Sequence, residues 1–146
     1  LEGKVRLNNP DGIVNADYLD YDLRQKTGTF KGNVIMERKA VKNDSKTGKS
    51  NKDPFTLRAS ELYLESDQKN FTASRSRFEH KEFKGNADQI IYTDSSEQLV
   101  FKGKVYLKRD NGEEIRGEEI KVNLKDKSFA ATNNVSIEMP VDEDED

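Results

Sequence analysis

Phe30-Lys31-Gly32-Asn33-Val34-Ile35-Met36 returns in the same pattern as Phe101-Lys102-Gly103-Lys104-Val105-Tyr106-Leu107. Leu1-Glu2-Gly3-Lys4-Val5-Arg6-Leu7 matches both, Ala131-Thr132-Asn133-Asn134-Val135-Ser136-Ile137 is a degenerate copy, and Phe71-Thr72-Ala73 a poorer one. With Gly3, Gly32, Ala73, Gly103 and Asn133 as equivalents, the steps are 29, 41, 30 and 30 residues. The long step holds a polar stretch, Val41 to Asp53, that reads as an insertion. A second block recurs between the markers: Ala16-Asp17-Tyr18-Leu19-Asp20-Tyr21, Ala59-Ser60-Glu61-Leu62-Tyr63-Leu64, Ala87-Asp88-Gln89-Ile90-Ile91-Tyr92 and Gly117-Glu118-Glu119-Ile120-Lys121-Val122. The chain is therefore four repeats of roughly 30 residues, entered and left at repeat edges.

Inside each repeat the apolar period is two. Val34 and Met36, Val105 and Leu107, Leu62 and Leu64, Ile90 and Tyr92, and Ile120, Val122 and Leu124 alternate with mostly polar neighbours. That period marks half-buried strands rather than helices. Turn signals fall between them at Asn8-Asn9-Pro10-Asp11-Gly12, Lys26-Thr27-Gly28, Asp94-Ser95-Ser96 and Asp110-Asn111-Gly112. The expectation is an all-β chain of about eight to ten or more strands with little or no helix. Its apolar faces must meet, as in a sandwich, a jelly roll or a curled sheet. Repeat fragments at both termini suit an array that continues past its own edges.

Composition narrows the function. Of 146 residues, 36% are charged and 32% apolar, and Leu, Ile, Val and Phe make up 33, which suits a thin apolar layer rather than a fat core. Net charge is −3, and the run Asp142 to Asp146 supplies more than all of it, so the remaining chain is not a basic nucleic-acid binder. That run reads as a disordered acidic tail over residues 141–146, with one domain over residues 1–140 carrying the insertion at about 41–53. No cysteine is present, which removes disulfides and thiolate metal sites. No apolar run is long enough for a membrane span or a signal-peptide core.

Motifs for catalysis are weak. His80, the single histidine, lies between Glu79 and Lys81 and is expected to be exposed, without a nucleophile signature around it. One His and no Cys argue against a zinc site, and no other cofactor is implied. Gly48-Lys49-Ser50 lacks the glycine and the strand-to-helix context of a phosphate loop. Asp17, Asp20 and Asp22 lack calcium-loop spacing and read as a solvated strand face. The loop around Lys42, Lys46, Lys49 and Lys52 is either simply solvated or in contact with phosphates and sugars of a ligand. Asn70-Phe71-Thr72 and Asn134-Val135-Ser136 match the glycosylation sequon, while Phe71 and Val135 read as core positions.

The pattern Ala-Asp-x-Leu-x-Tyr-Asp followed by an apolar residue-x-Gly-Asn-Val resembles the OstA/LptA repeat family. Ala16 to Asp22 leading to Phe30–Val34 is the best match, and Ala87 to Asp94 leading to Phe101–Val105 the next. The resemblance runs over roughly residues 3–137. It implies an open-ended antiparallel β-jelly roll in the periplasm of a Gram-negative-type envelope, membrane-associated through partners. It implies no catalysis but the carriage of lipopolysaccharide, with lipid A acyl chains in an apolar groove. Carried onto this chain, the groove would consist of Val34, Met36, Leu62, Leu64, Phe71, Ile90, Tyr92, Phe101, Val105, Leu107, Ile120 and Val122. The edges at Gly3, Val5 and Leu7 and at Val135 and Ile137 would pair with related Lpt jelly rolls or with a second copy. The competing expectation is a repeat scaffold with a closed core that binds protein. A surface carbohydrate module is weaker still, because no tryptophan is present and most phenylalanines point inward.

Overall fold

The structure, a computed structural model, describes residues 2–40 and 52–140. Ten strands follow in order: β1 (Glu2–Asn9), β2 (Gly12–Asp22), β3 (Thr27–Arg38), β4 (Phe55–Glu65), β5 (Asn70–His80), β6 (Phe83–Thr93), β7 (Gln98–Arg109), β8 (Glu114–Asn123), β9 (Ser128–Thr132) and β10 (Ser136–Glu138). The described residues contain no helix. Strands β1 to β8 pair antiparallel in sequence order, while β9 and β10 pair with different halves of β8. The sheet stays open, with β1 at one edge and β9 and β10 at the other.

This single sheet buries a core because its strands fold back on themselves. Leu64, the cross-strand partner of Phe71, lies nine residues along β4 from Phe55. In an unbent strand those nine residues would span about 30 Å. The Phe55 and Phe71 ring centroids are instead 6.2 Å apart. The bend falls at one level across the sheet, where the pairing register slips between Asn15 and Tyr18, Lys31 and Val34, Asn86 and Gln89, and Lys102 and Val105. Slips of this kind are β-bulges, which bend a strand and sharpen its twist. One leaf thus carries residues 6–9, 12–15, 34–38, 55–59, 76–80, 83–87, 105–109, 114–117 and 136–138, and the other leaf the remaining strand halves.

The repeat markers are these bends. Gly32 and Asn33 have φ of 78° and 46°, Gly103 and Lys104 81° and 47°, and Asn133 and Asn134 63° and 56°. Glycine reaches that left-handed region freely and asparagine more readily than most residues, so the degenerate copy keeps the geometry. A Cβ on Gly32 or Gly103 would lie 2.6 Å from a carboxylate oxygen of Asp17 or Asp88. The aspartate of each Ala-Asp block thus packs over the glycine of the facing strand, and Asn33 Nδ2 donates to Asp17 Oδ2 at 3.1 Å. The preceding Ala16, Ala59, Ala87 and Gly117 are buried at the bend.

Three expectations need correction. In β5 the left-handed residue is Arg75, with φ 49°, and Ala73 is an interior position between Leu62 and Ile90. The turn signal Lys26-Thr27-Gly28 lies slightly late: the turn occupies residues 23–26, and Thr27 and Gly28 already belong to β3. Val135 is 44% exposed rather than core, because no strand lies beyond the edge it occupies. Lys42, Lys46 and Lys49 and the acidic run lie outside the described residues.

Candidate functional site

The space between the leaves is one continuous apolar cluster. Val34, Leu62, Leu64, Phe71, Ile90, Tyr92, Phe101, Val105, Leu107, Ile120 and Val122 are all buried in it, and Met36 packs against it partly buried. The structure therefore brings together the residues that alternation put on one face. It adds Val14, Phe30, Phe55, Leu57, Phe78, Phe83, Leu99 and Ile115, whose signal was the same alternation in the same strands. Six aromatic rings run through the middle: Phe55 lies 4.8 Å from Phe78 and 5.8 Å from Tyr92, and Phe83 and Phe101 each pack on Phe78. Phe71 completes the row, 5.2 Å from Tyr92.

Opposite the bend, the hairpin turns of the two leaves face each other along a mouth that polar contacts close. Lys69 Nζ meets Asp11 Oδ2 at 2.8 Å, Lys52 Nζ meets Asp94 Oδ2 at 2.9 Å, and Lys127 Nζ meets Glu82 Oε1 at 2.6 Å, each pair joining one leaf to the other. The hydrogen bond and charge of Lys127 hold Glu82 below the usual carboxylate range, and Glu82 in turn raises Lys127. Arg38 reaches across as well: its Nη1 donates to Tyr92 Oη at 2.7 Å, its Nε donates to the Asp53 carbonyl, and its guanidinium lies 4.5 Å from the Phe55 ring centre. Tyr92 passes the chain on by donating to Asp94 Oδ1 at 2.9 Å. Burial pushes the phenol far above its ordinary pKa, so it remains a neutral donor.

His80 belongs to this mouth and is not exposed, contrary to the expectation from its polar neighbours. It is 8% exposed and stacks on Phe83 at 5.1 Å. The reason is period two after the bend: residues 76, 78 and 80 point inward while Glu79 and Lys81 point out. The Glu82 amide donates to Nδ1 at 3.1 Å, which leaves the ring proton on Nε2, 3.3 Å from Asp53 Oδ2. Burial lowers the His80 pKa below 6.5, opposed in part by the Asp53 and Glu82 carboxylates. The unfolded chain therefore binds the extra proton first, and stability falls as pH drops from 6.5 towards the folded value. Denaturant melts at about pH 7.5 and about pH 5 should show this loss, and His80→Gln should remove most of it. Asp53 and Glu82 do not confuse the comparison: their pKa values lie below 3.8 and 4.5, so their contributions are lost only in more acid solution.

Between core and mouth remain two small cavities. One, of about 80 Å³, is lined by residues including Ile13, Met36, Phe55 and Tyr92, and the other, of about 40 Å³, by His80, Phe83, Val122 and Phe129 among others. Ligand sites usually run to several hundred Å³, so a ligand of that size needs the leaves to part. The acidic strand face stays solvated: Asp17, Asp20 and Asp22 are exposed, and Asp22 Oδ1 accepts from the Arg24 and Gln25 amides in the following turn. Among the described residues no group of acidic or histidine side chains has metal-binding geometry.

The open ends differ. At the first, Val5 is buried and Leu7 partly so, within β1, which pairs only with β2. At the second, Ile137 is the register partner of the fully buried Ile115 yet is 49% exposed, so the apolar interior reaches the surface there.

Comparison with known proteins agrees with this architecture. The family model described as LptA/(LptD N-terminal domain) LPS transport protein matches residues 13–128. Among curated proteins none matches in sequence. Among solved structures, the chain is similar to LptH from Pseudomonas aeruginosa, described as the LptA-homologous periplasmic component of the lipopolysaccharide transport device. The TM-score is 0.72 at 15% identity, covering 88% of this chain and 94% of that one. The expected fold, an open-ended antiparallel repeat jelly roll, is thereby established.

Proposed function

The chain belongs to the family of LptA and LptD N-terminal domains, and on that premise we propose that it is a non-enzymatic periplasmic module for lipopolysaccharide transport. The acyl chains lie between the leaves against the twelve residues from Val34 to Val122 named above, and the saccharide stays in water beyond the mouth. The observation that carries this reading is the asymmetry of the interior boundary. At the bend the leaves are joined by the covalent backbone of the strands themselves, whereas the mouth is held by ion pairs and the Arg38–Tyr92 contact. Partly exposed ion pairs contribute on the order of 0–1 kcal/mol each, far less than a covalent bond. Each methylene moved from water into the parted interior is worth about 0.8 kcal/mol, so a multi-chain lipid offsets the lost contacts. At the ends, the partly exposed Ile137 and the unpaired outer sides of β1, β9 and β10 suit edge-to-edge joining with another jelly roll of this kind, which would extend the groove.

Native mass spectrometry with purified lipopolysaccharide against a detergent-matched control, alongside light scattering, tests this. Lipid-bound protein and concentration-dependent ladders that Ile137→Asp shortens are the expected result. One observation favours a second reading, the closed protein-binding scaffold: the interior is filled by the protein's own side chains, and the cavities described at its mouth are small. A monomer with neither bound lipid nor thermal stabilisation by it would establish that alternative.

A further inference from the structure

On the outer face of the bend lies a second recess, of about 590 Å³, separate from the interior. Arg58, Arg75, Arg77 and Lys104 line it together with Asn33, Asn86 and a single acid, Asp88. Arg58 and Arg77 are direct cross-strand partners on β4 and β5, with Asn86 next in the same row on β6. Like charges placed opposite each other in a sheet are destabilising, and Asp88, the one acid of the recess, forms no ion pair with either arginine. Arg58, Arg75, Arg77 and Lys104 make no ion pair with any described residue, although Arg109 and Arg116 in the same sheet do. Glu61 and Glu79, which flank the row on the same strands, form none with them either.

The backbone adds a second observation. Arg75 and Lys104 have φ of 49° and 47°, a left-handed conformation that costs a long side chain about 1 kcal/mol or more. Lys104 lies at a bulge, which re-aims side chains, Arg75 has the same backbone twist without a register slip, and both line the same recess. Asn33 and Gly32 make the matching bulge on β3, so the recess sits between the bulges of β3 and β7, with the left-handed Arg75 of β5 and the Arg58–Arg77 row between them.

We infer that this outer recess binds a phosphate-bearing anion through Arg58, Arg75, Arg77 and Lys104. Guanidinium forks bind phosphate oxygens in pairs, and two forks facing each other gain from a shared dianion what they lose without one. The recess is larger than one phosphate requires, and the Asn33 and Asn86 amides offer hydrogen bonds to hydroxyls, so the fitting ligand is a phosphorylated saccharide. The inference shares only its possible ligand source with the transport reading, because this site lies outside the sheet and holds no acyl chain.

Calorimetric titration with three probes tests it: inorganic phosphate, a phosphorylated disaccharide freed of acyl chains, and intact lipopolysaccharide. The disaccharide should bind the wild-type protein, and Arg58→Gln/Arg77→Gln should weaken it by about tenfold or more. The ligand-free double variant should melt no lower than wild type, which separates an anion site from a structural role for the two arginines. Inorganic phosphate binding as tightly as the disaccharide would keep the site and assign it to free phosphate instead of a lipid head. Unchanged disaccharide affinity in the double variant, or no binding by wild type, would overturn the inference. Neither result bears on the interior, since wild type and variant should take up intact lipopolysaccharide alike.

Discussion

Protein carrying Glu82→Cys and Lys127→Cys, joined across the mouth by a short bis-maleimide, should lose lipopolysaccharide binding by more than about 100-fold, because a ligand that needs the open state is weakened by the fraction of protein that reaches it. The two parent side chains meet at 2.6 Å from opposite leaves, so the link fixes a contact that already exists. The unlinked double-cysteine protein should bind at least as well as wild type, since it lacks one of the ion pairs that hold the mouth closed. A linker with a cleavable spacer should restore uptake when cut. The tethered protein should also melt higher than the unlinked form, because a cross-link restricts the unfolded chain. Loss of binding with gained stability points to a blocked path rather than to damage.

Ile120→Asp should lower folding stability on the order of 3–5 kcal/mol and abolish lipid binding. Ile120 is fully buried, flanked by Phe101 on β7 and Ala131 on β9. A carboxylate there has neither water nor a partner, and its charged form is strongly disfavoured. The adjacent Lys121 is exposed on the opposite face, so Lys121→Asp should change stability by no more than about 0.5 kcal/mol and leave binding intact. Denaturant melts and binding at low temperature, where the variant remains folded, check both. Ile120→Asp that stays folded and binds normally would remove the interior from the transport reading.

Period two made the interior legible. Val34, Leu62, Ile90, Phe101 and Ile120 could be placed on one face without knowing that each strand bends, because alternation resumes on either side of a bulge. The bend itself was visible as a repeated glycine, and Asn133-Asn134 kept its place because asparagine tolerates a positive φ. Arg75 was not visible, since nothing in an arginine announces that conformation, and the nearby Ala73 took its place in the repeat. His80 was misplaced by its neighbours: Glu79 and Lys81 describe the other face of the strand. The mouth was illegible for a related reason. Its contacts join Lys52 to Asp94 and Glu82 to Lys127, residues 42 and 45 positions apart, and one sequence does not say which surface charges meet. The outer recess was hidden likewise, because the facing of Arg58 and Arg77 depends on strand register.

The most direct test of lipid carriage between the leaves places a photoreactive phenylalanine analogue at position 101 in one protein and at position 102 in another. Phe101 is fully buried between the leaves and Lys102 is its exposed neighbour on the outer face. Illumination with lipopolysaccharide should give lipid adducts from position 101 and none from position 102. Adducts at 102 alone, or at neither position while lipid still binds, would contradict the account and leave the interior as an ordinary closed core.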